Sequence, residues 1–320
     1  MDKNFILKKI LEYQKIIIHM HMRPDGDCYG AGFGLKYILE ESFPEKTIYI
    51  TGETADYLKF VGEVDTITDD VYQDALSIVV DTATKDRVAD QRFAKGNYVI
   101  KIDHHLPVDD YGDDRYVDIS RPATAQIILE FYLENTNILK MNMKAAKALY
   151  TGIVTDTGRF KYRSVTAETF RGVAKLLDFG LDFTEVLAVL DLKTENQMKL
   201  QGYVLQNFAK TTNGVAYIKM TPEIILKHQV SMEEATSLVN ELSCLEDCPV
   251  WILFAEYENN IVRARLRSKG PAINLLANQY GGGGHPMACG ANVGTWSKVD
   301  NLLKDADELV KNYKESLKSL

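Results

Sequence analysis

Four short apolar runs, each leading into an Asp or a cluster of Asp and His, constrain this chain more than any other feature. Ile16-Ile17-Ile18 leads to His21-Met22-Arg23-Pro24-Asp25-Gly26-Asp27, and Ile78-Val79-Val80 ends in Asp81. Lys101-Ile102-Asp103-His104-His105 closes a third run, and Tyr150-Thr151-Gly152-Ile153-Val154 leads to Asp156. Continuous β-branched runs are what strands buried on both faces of a parallel sheet look like. In an open α/β sheet, ligands sit in the crevice outside the carboxyl ends of the strands. Four strands delivering carboxylate and imidazole there would build a metal site. A single Asp after a strand is ordinarily a turn former or a helix cap, and a lone His pair an ordinary polar loop. The repetition at four ends is what favours the metal.

The surrounding pattern places these runs in an α/β fold. Strand-like runs lie near residues 16–19, 47–50, 78–80 and 98–102, with helical patterns near 30–41 and 124–133. Residues 144–152 read as a helix leading into Thr155-Asp156-Thr157-Gly158, and residues 166–179 as another, stopped by Gly180. The expected architecture is a mostly parallel sheet with helices on both faces over residues 1–185, and a helical, charged connection over 186–205. A smaller α/β domain over 206–320 follows, across a cleft. In it, residues 215–220 read as a strand, and Ser231-Met232-Glu233-Glu234 as a capping box opening a helix to about Leu242. Residues 250–257 and 261–266 form a hairpin around Glu258-Asn259-Asn260. Pro271 opens a short helix to Tyr280, and an amphipathic helix runs from Ser297.

Composition narrows the partners. The longest apolar runs fall well short of the roughly 20 residues a membrane helix needs, and no signal-peptide pattern opens the chain. A cytoplasmic protein without a membrane partner is expected. Cys28, Cys244, Cys248 and Cys289 are irregularly spaced, so free buried thiols are expected rather than a disulfide framework or a zinc site. A net charge of -8 suits a small anion held at one site and disfavours long nucleic acid, which requires many Lys and Arg contacts to phosphates.

Taken together, H-x-x-x-D-x-D at His21 to Asp27, the strand-end Asp81, D-H-H at Asp103 to His105 and T-D-T-G at Thr155 to Gly158 resemble the four motifs of the DHH phosphoesterase superfamily. Gly281, Gly282, Gly283, Gly284 and His285, with Ala288 following, are similar to the Gly-rich motif of the DHH-associated C-terminal domain. The resemblance spans about residues 15–290, and the short two-domain build resembles the bifunctional oligoribonuclease (nanoRNase) and pAp phosphatase group. Close relatives of that group act on linear and cyclic di-AMP.

The donor set is carboxylate and imidazole without sulfur, which suits Mn2+, or Mg2+ as the alternative, rather than structural zinc. The donors outnumber the needs of one ion, and a carboxylate between two cations can bridge them. The resemblance implies two Mn2+, with His21 and Asp25 on one ion, Asp27, His104 and Asp156 on the other, and Asp81 bridging. It implies in-line attack on phosphorus by hydroxide supplied between the ions. Asp103 would orient a His through its ring N–H. His105 would face the substrate phosphate as proton donor to the leaving oxygen or as an electrostatic clamp. His19 and Cys28 read as core residues.

For the second half, a glycine run lets backbone N–H groups approach an anion, although it also fits a flexible turn. The resemblance implies that Gly283, Gly284 and His285 contact substrate, and that Arg267 and Ser268 contact its phosphate. Arg263, Arg265 and Arg267 alternate and so share one strand face; the competing reading is the exposed face of an edge strand. Arg265 and Arg159 could also reach a phosphate, with a surface role equally open for Arg159. One domain would cut and the other grip the far end, so that only a dinucleotide, pAp or similarly short ligand engages both. The implied activity is hydrolysis of short oligoribonucleotides to mononucleotides and of pAp to AMP. The competing readings are a cyclic di-AMP phosphodiesterase and a non-catalytic nucleotide-binding module. The chain could also pair as a homodimer.

Overall fold

The four expected strands of the first half are strands in the computed structural model, which describes residues 3–318. The chain divides into two compact units, Met1–Asp191 and Leu192–Leu320. The break falls inside the helical segment expected as the connection.

The first unit opens with α1 (Asn4–Glu12), β1 (Lys15–His19), α2 (Gly26–Ser42) and β2 (Thr47–Thr51). It continues through β3 (Ala75–Val80), β4 (Tyr98–Asp103) and β5 (Asp114–Val117) to α3 (Thr124–Glu134), α4 (Met143–Asp156), α5 (Ala167–Leu177) and α6 (Phe183–Asp191). All five strands are parallel, in the order β2-β1-β3-β4-β5. β1 connects outward to β2 on one side, and the chain then returns to β3 on the other. The crevice at such a reversal is where open sheets bind ligands.

Both faces are covered, but unequally. Ile16, Ile18, Ile78, Ile100 and Ile102 pack with α1, α2, α3 and α4 in one large core. The other face carries Ile17, Val79 and Val99, covered by short 3-10 turns that bring Tyr72 and Phe93 onto it. Small residues let α2 and α4 approach closely. A Cβ on Gly30 would lie 2.5 Å from Gly152 N, so neither helix could sit where it does with a side chain there. This approach brings Asp27, on the first turn of α2, near the end of α4.

One expectation is corrected here. Asp156 does not end a strand; the run from Tyr150 belongs to α4, opened by Asn142, whose side chain accepts from Ala145 N–H. Three strand ends and one helix end, rather than four strands, converge. The fifth strand, β5, went unread because Asp114 and Arg115 break the apolar pattern at this sheet edge.

The second unit comprises α7 (Glu195–Asn207), β6 (Ala209–Lys210), β7 (Val215–Met220), α8 (Pro222–His228), α9 (Met232–Ser237), β8 (Val250–Tyr257) and β9 (Ile261–Ser268). α10 (Asn274–Gln279), β10 (Gly283–His285), β11 (Ala288–Gly294) and α11 (Trp296–Lys318) complete it. Its sheet is mixed, ordered β10-β11-β9-β8-β7-β6. α11 packs Val299, Leu302, Ala306 and Val310 against Val250, Ile252 and Phe254 on one face. The other face buries Trp251 and Leu253 under α7, α8 and α9. The Ser231 and Glu234 capping box is formed, and the hairpin of β8 and β9 is in register from Tyr257↔Ile261 to Val250↔Ser268. The short helix begins at Asn274 rather than Pro271, and Ile273 N–H just ahead of it donates to Pro286 O at 2.8 Å.

Three of the four cysteines are buried and all are free; Cys244 is exposed, against the expectation of four buried thiols. Its place beside a turn at the surface follows from the 3-10 segment that ends at Leu242. Among the described residues, no helix is long and apolar enough to cross a membrane.

Candidate metal centre and phosphate-binding strand

Seven side chains of the first unit face one small volume beyond the carboxyl ends of β1, β3 and β4. Asp81 is at its centre. One of its oxygens lies 3.6 Å from His21 Nε2, and the other lies 3.6 Å from His104 Nε2 and 3.7 Å from His105 Nδ1. Around His21 stands Asp25, 3.8 Å from Nε2. Around His104 stand Asp27 at 3.9 Å and Asp156 at 3.4 Å from Nε2. These separations exceed hydrogen bonds and match the span between two ligands of one ion, about 3 Å or more for bonds of about 2.1 Å.

The imidazoles are set for this task. His21 Nδ1 lies 3.0 Å from Met22 O and His104 Nδ1 lies 3.1 Å from Arg121 O. A carbonyl can only accept, so each Nδ1 carries the proton and each Nε2 offers its lone pair to the volume between the carboxylates. This tautomer assignment follows from the hydrogen-bond partners.

Electrostatics points the same way. Burial, together with Asp81 and Asp156 nearby, pushes the Asp27 carboxyl well above its ordinary range. Burial also raises Asp156, to about 7, with Asp81 and Asp25 adding to it and His104 opposing. Burial alone would depress the His21 imidazole, but Cys28, Asp25 and Asp81 around it raise it instead. Crowded carboxylates that resist ionising together are relieved either by protons or by cations. A set of oxygen donors with two correctly presented imidazoles therefore fits divalent ions of the Mn2+ or Mg2+ type.

Asp25 caps α2, its Oδ1 accepting from Cys28 N–H at 3.1 Å. Asp27 has a second function that sequence reasoning missed. It accepts the N–H groups of Thr124 at 2.6 Å and Ala125 at 2.9 Å, capping α3 from a different helix. No local side chain caps α3. The buried Thr124 hydroxyl also donates to Asp81 Oδ1 at 2.9 Å. The N-terminus of α3 thus fixes two of the central carboxylates, and nothing in the local sequence around Thr124 announces it. Thr124→Val keeps the shape and the backbone bonds but removes that hydroxyl. We expect a loss of metal affinity on the order of 10–100-fold by titration calorimetry. Unchanged affinity would show that Asp81 needs no such support.

Asp103 is bound within its own Asp-His-His run. Its Oδ1 accepts from His105 Nδ1 at 2.8 Å and from the backbone N–H groups of His104 and His105. Burial would raise this carboxyl, but the His105 hydrogen bond, with help from Lys101, holds it down near 2. Burial would lower the His105 ring, but the bond to Asp103 and the nearby charge of Asp81 raise it to about 9. His19 lies in the core between Tyr72 and Phe93, its Nδ1 3.0 Å from Thr51 Oγ1. Cys28 is buried, its Sγ accepting from His21 N–H at 3.3 Å. Arg159, in the left-handed region at φ 59°, pairs with Asp191 of α6.

In the second unit β9 is an interior strand between β8 and β11, which corrects the competing edge-strand reading of its three arginines. Arg267 pairs in register with Ala288, and Ala288 with His285, so Arg267 and His285 share a face on either side of a methyl group. Gly283 and Gly284 lie in the short strand β10 rather than in a turn. At Gly284 φ is 137°, and a Cβ would come 2.6 Å from Ala288 O, so glycine is needed there. Ser268 is spent locally, donating to Pro271 O at 2.6 Å and accepting from Gly270 N–H at 3.0 Å. Arg265 donates to Thr236 O at 3.3 Å, at the end of α9, while Arg263 lies over the Tyr257 ring at 4.7 Å.

Comparison with known proteins agrees with both halves. Residues 15–153 match the DHH family, N-terminal domain, and residues 212–312 match the DHHA1 domain. The bifunctional oligoribonuclease and PAP phosphatase NrnA of Bacillus subtilis strain 168 is 38% identical over 97% of this chain and 99% of its own length. The chain belongs to the DHH family. A Streptococcus mutans protein named probable bifunctional oligoribonuclease and PAP phosphatase NrnA is 39% identical to this DHH chain, over 96% of it and 98% of its own length. The crystal structure of an exopolyphosphatase-related protein from Bacteroides fragilis shares the fold with a TM-score of 0.86, covering 96% of this chain and 97% of that one at 24% identity.

Proposed function

We propose that this DHH protein is a phosphoric ester hydrolase that degrades short oligoribonucleotides, including the linear dinucleotide pApA, to mononucleotides and converts pAp to AMP and phosphate. The observation that carries the reading is the position of Asp81, whose two oxygens face two different imidazoles, each with further carboxylates beside it. The relationship at 38% identity to an oligoribonuclease and PAP phosphatase over nearly the whole chain supports the substrate class.

In this reading His21, Asp25 and Asp81 hold one Mn2+ and Asp27, His104, Asp156 and Asp81 hold a second, with Mg2+ as the alternative. Bound there, such ions would supply Lewis-acid stabilisation of phosphoryl oxygens and a nucleophile near neutral pH. The protein's own groups supply the rest. His105, its Nδ1 engaged by Asp103, carries a proton for the departing sugar oxygen. Arg267 and His285, on one face of the second sheet, bind the nucleotide end of the substrate. The net charge of -8 and the absence of an apolar helix of membrane length among the described residues fit a cytoplasmic enzyme for small ligands.

The test is product analysis after incubating equal amounts of pAp, pApA, cyclic di-AMP and a pentaribonucleotide with the Mn2+-loaded protein. AMP from pAp and pApA, formed faster than from cyclic di-AMP, is expected. No turnover of pAp or pApA by fully loaded protein would refute the reading. Arg267→Ala is expected to raise KM for pApA on the order of tenfold with metal stoichiometry unchanged. An unchanged KM would overturn the phosphate contact, and loss of the second unit's melting transition would mean that the change unfolds it instead.

A further inference from the structure

Lys101 is 1% exposed, on the strand that ends in the Asp-His-His run. Strand alternation puts its side chain on the same face as Asp103 two residues later. Its ammonium donates to Ala83 O at 2.8 Å, lies 3.3 Å from Asp103 Oδ2, and sits over the Tyr111 ring at 4.6 Å. Tyr111 is fixed in turn, its hydroxyl donating to Thr82 O at 2.6 Å. A buried ammonium is costly unless it is paired and hydrogen-bonded, and this one has a carbonyl, a carboxylate and a ring face around it.

Asp103 divides its two oxygens. Oδ1 takes three N–H donors from His104 and His105, whereas Oδ2 is buried and accepts no hydrogen bond among the described residues. Oδ2 has the Lys101 charge beside it instead. Ala83 belongs to the loop that follows Asp81, so one side chain ties the loop after β3 to the end of β4.

We infer that Lys101 is a positioning residue that acts through Asp103: by fixing the carboxylate from its Oδ2 side, it sets the ring of His105 against the reacting phosphate. The inference rests on the proposed role of His105 in phosphoester hydrolysis. Lys101 is engaged by Ala83, Asp103 and Tyr111, so removing its charge should slow turnover without weakening substrate binding.

The test uses Lys101→Met in the full-length, Mn2+-loaded protein, with the melting temperature and metal stoichiometry of each variant measured beside the rates. For pAp, kcat is expected to fall on the order of 10–100-fold while KM changes less than about threefold. In a His105→Ala background the same change should cost less than about threefold further, because its effect runs through the missing ring. Long-range 15N–1H correlation spectra of the metal-free protein provide a readout apart from activity. They should show the His105 ring signals displaced in Lys101→Met while the His228 signals stay. Wild-type kcat, an equal loss in the His105→Ala background, or unmoved His105 signals would each overturn the inference. Should Lys101→Met fail to fold, Lys101→Gln keeps a donor for Ala83 without the charge, and the same losses are expected; a wild-type rate would overturn it. If the unsubstituted protein does not hydrolyse pAp, the functional reading fails, and the spectra alone decide whether Lys101 positions His105.

Discussion

Asp81→Asn is expected to lower kcat on the order of 10^3-fold or more and to abolish loading of the second metal equivalent in the same preparation. Among the described residues, Asp81 is the one carboxylate with an oxygen near each imidazole pole, 3.6 Å from His21 Nε2 and 3.6 Å from His104 Nε2. Asn keeps its shape and can still accept the Thr124 hydroxyl, but it lacks the negative charge needed between two cations. The choice of Asn also respects the backbone. Asp81 sits at φ 52°, in the left-handed region that Asn tolerates and Ala does not. Asp81→Ala should lose both functions too, with an added cost in stability that would blur the interpretation. Metal analysis and steady-state rates on Asp81→Asn decide the point: two equivalents bound with a wild-type rate would eliminate the bridging role.

Removing metal should make stability depend on pH in a defined direction. Asp156 has its folded value raised to about 7 against an ordinary 3.8, and Asp27 is raised as well. A raised carboxyl means that the folded state binds more protons than the unfolded state between those values. Its contribution is therefore complete below about pH 4 and is lost as pH rises through about 7. His21, raised as a base, acts with the same sign, its contribution lost as pH climbs above its unfolded value. Asp25 and Asp103 are lowered, so their opposite contribution fades only below about pH 4. Protein stripped with a chelator should thus melt at progressively lower temperature from about pH 5 to 8. Added Mn2+ should raise the melting temperature of the first unit by about 5–10 °C, with the gain larger at the alkaline end, because cations replace the protons. A metal-free melting curve that is flat across this range would contradict the crowding of the four carboxylates.

How much of this was legible from the chain depends on how far each feature reaches. β1, β3 and β4 were readable because unbroken β-branched runs suit strands covered on both faces, and their terminal Asp and His residues followed by covalent order. β5 was not, since an edge strand with one apolar contact face tolerates Asp114 and Arg115. Asp156 was read on the wrong element: Ile153 and Val154 suggest a strand, but the Asn142 cap and the Gly30–Gly152 approach place them in a helix. The arginine alternation on β9 was correct as a pattern. Position within the sheet could not be inferred from it, and Arg265 proves to be engaged at the end of α9.

The sequence alone determined which residues stand at the ends of strands, since neighbours along the backbone are fixed by bonds and strand alternation sorts them by face. It therefore specified His21, Asp81, Asp103, His104 and His105 as a set. Only the tertiary structure decided what holds them: the start of α3 clasping Asp27 and Asp81, and the Ala83 carbonyl sharing Lys101 with Asp103. Those partners meet because helices and sheet pack into one core, and packing depends on the shapes of all the elements at once, which no local pattern encodes.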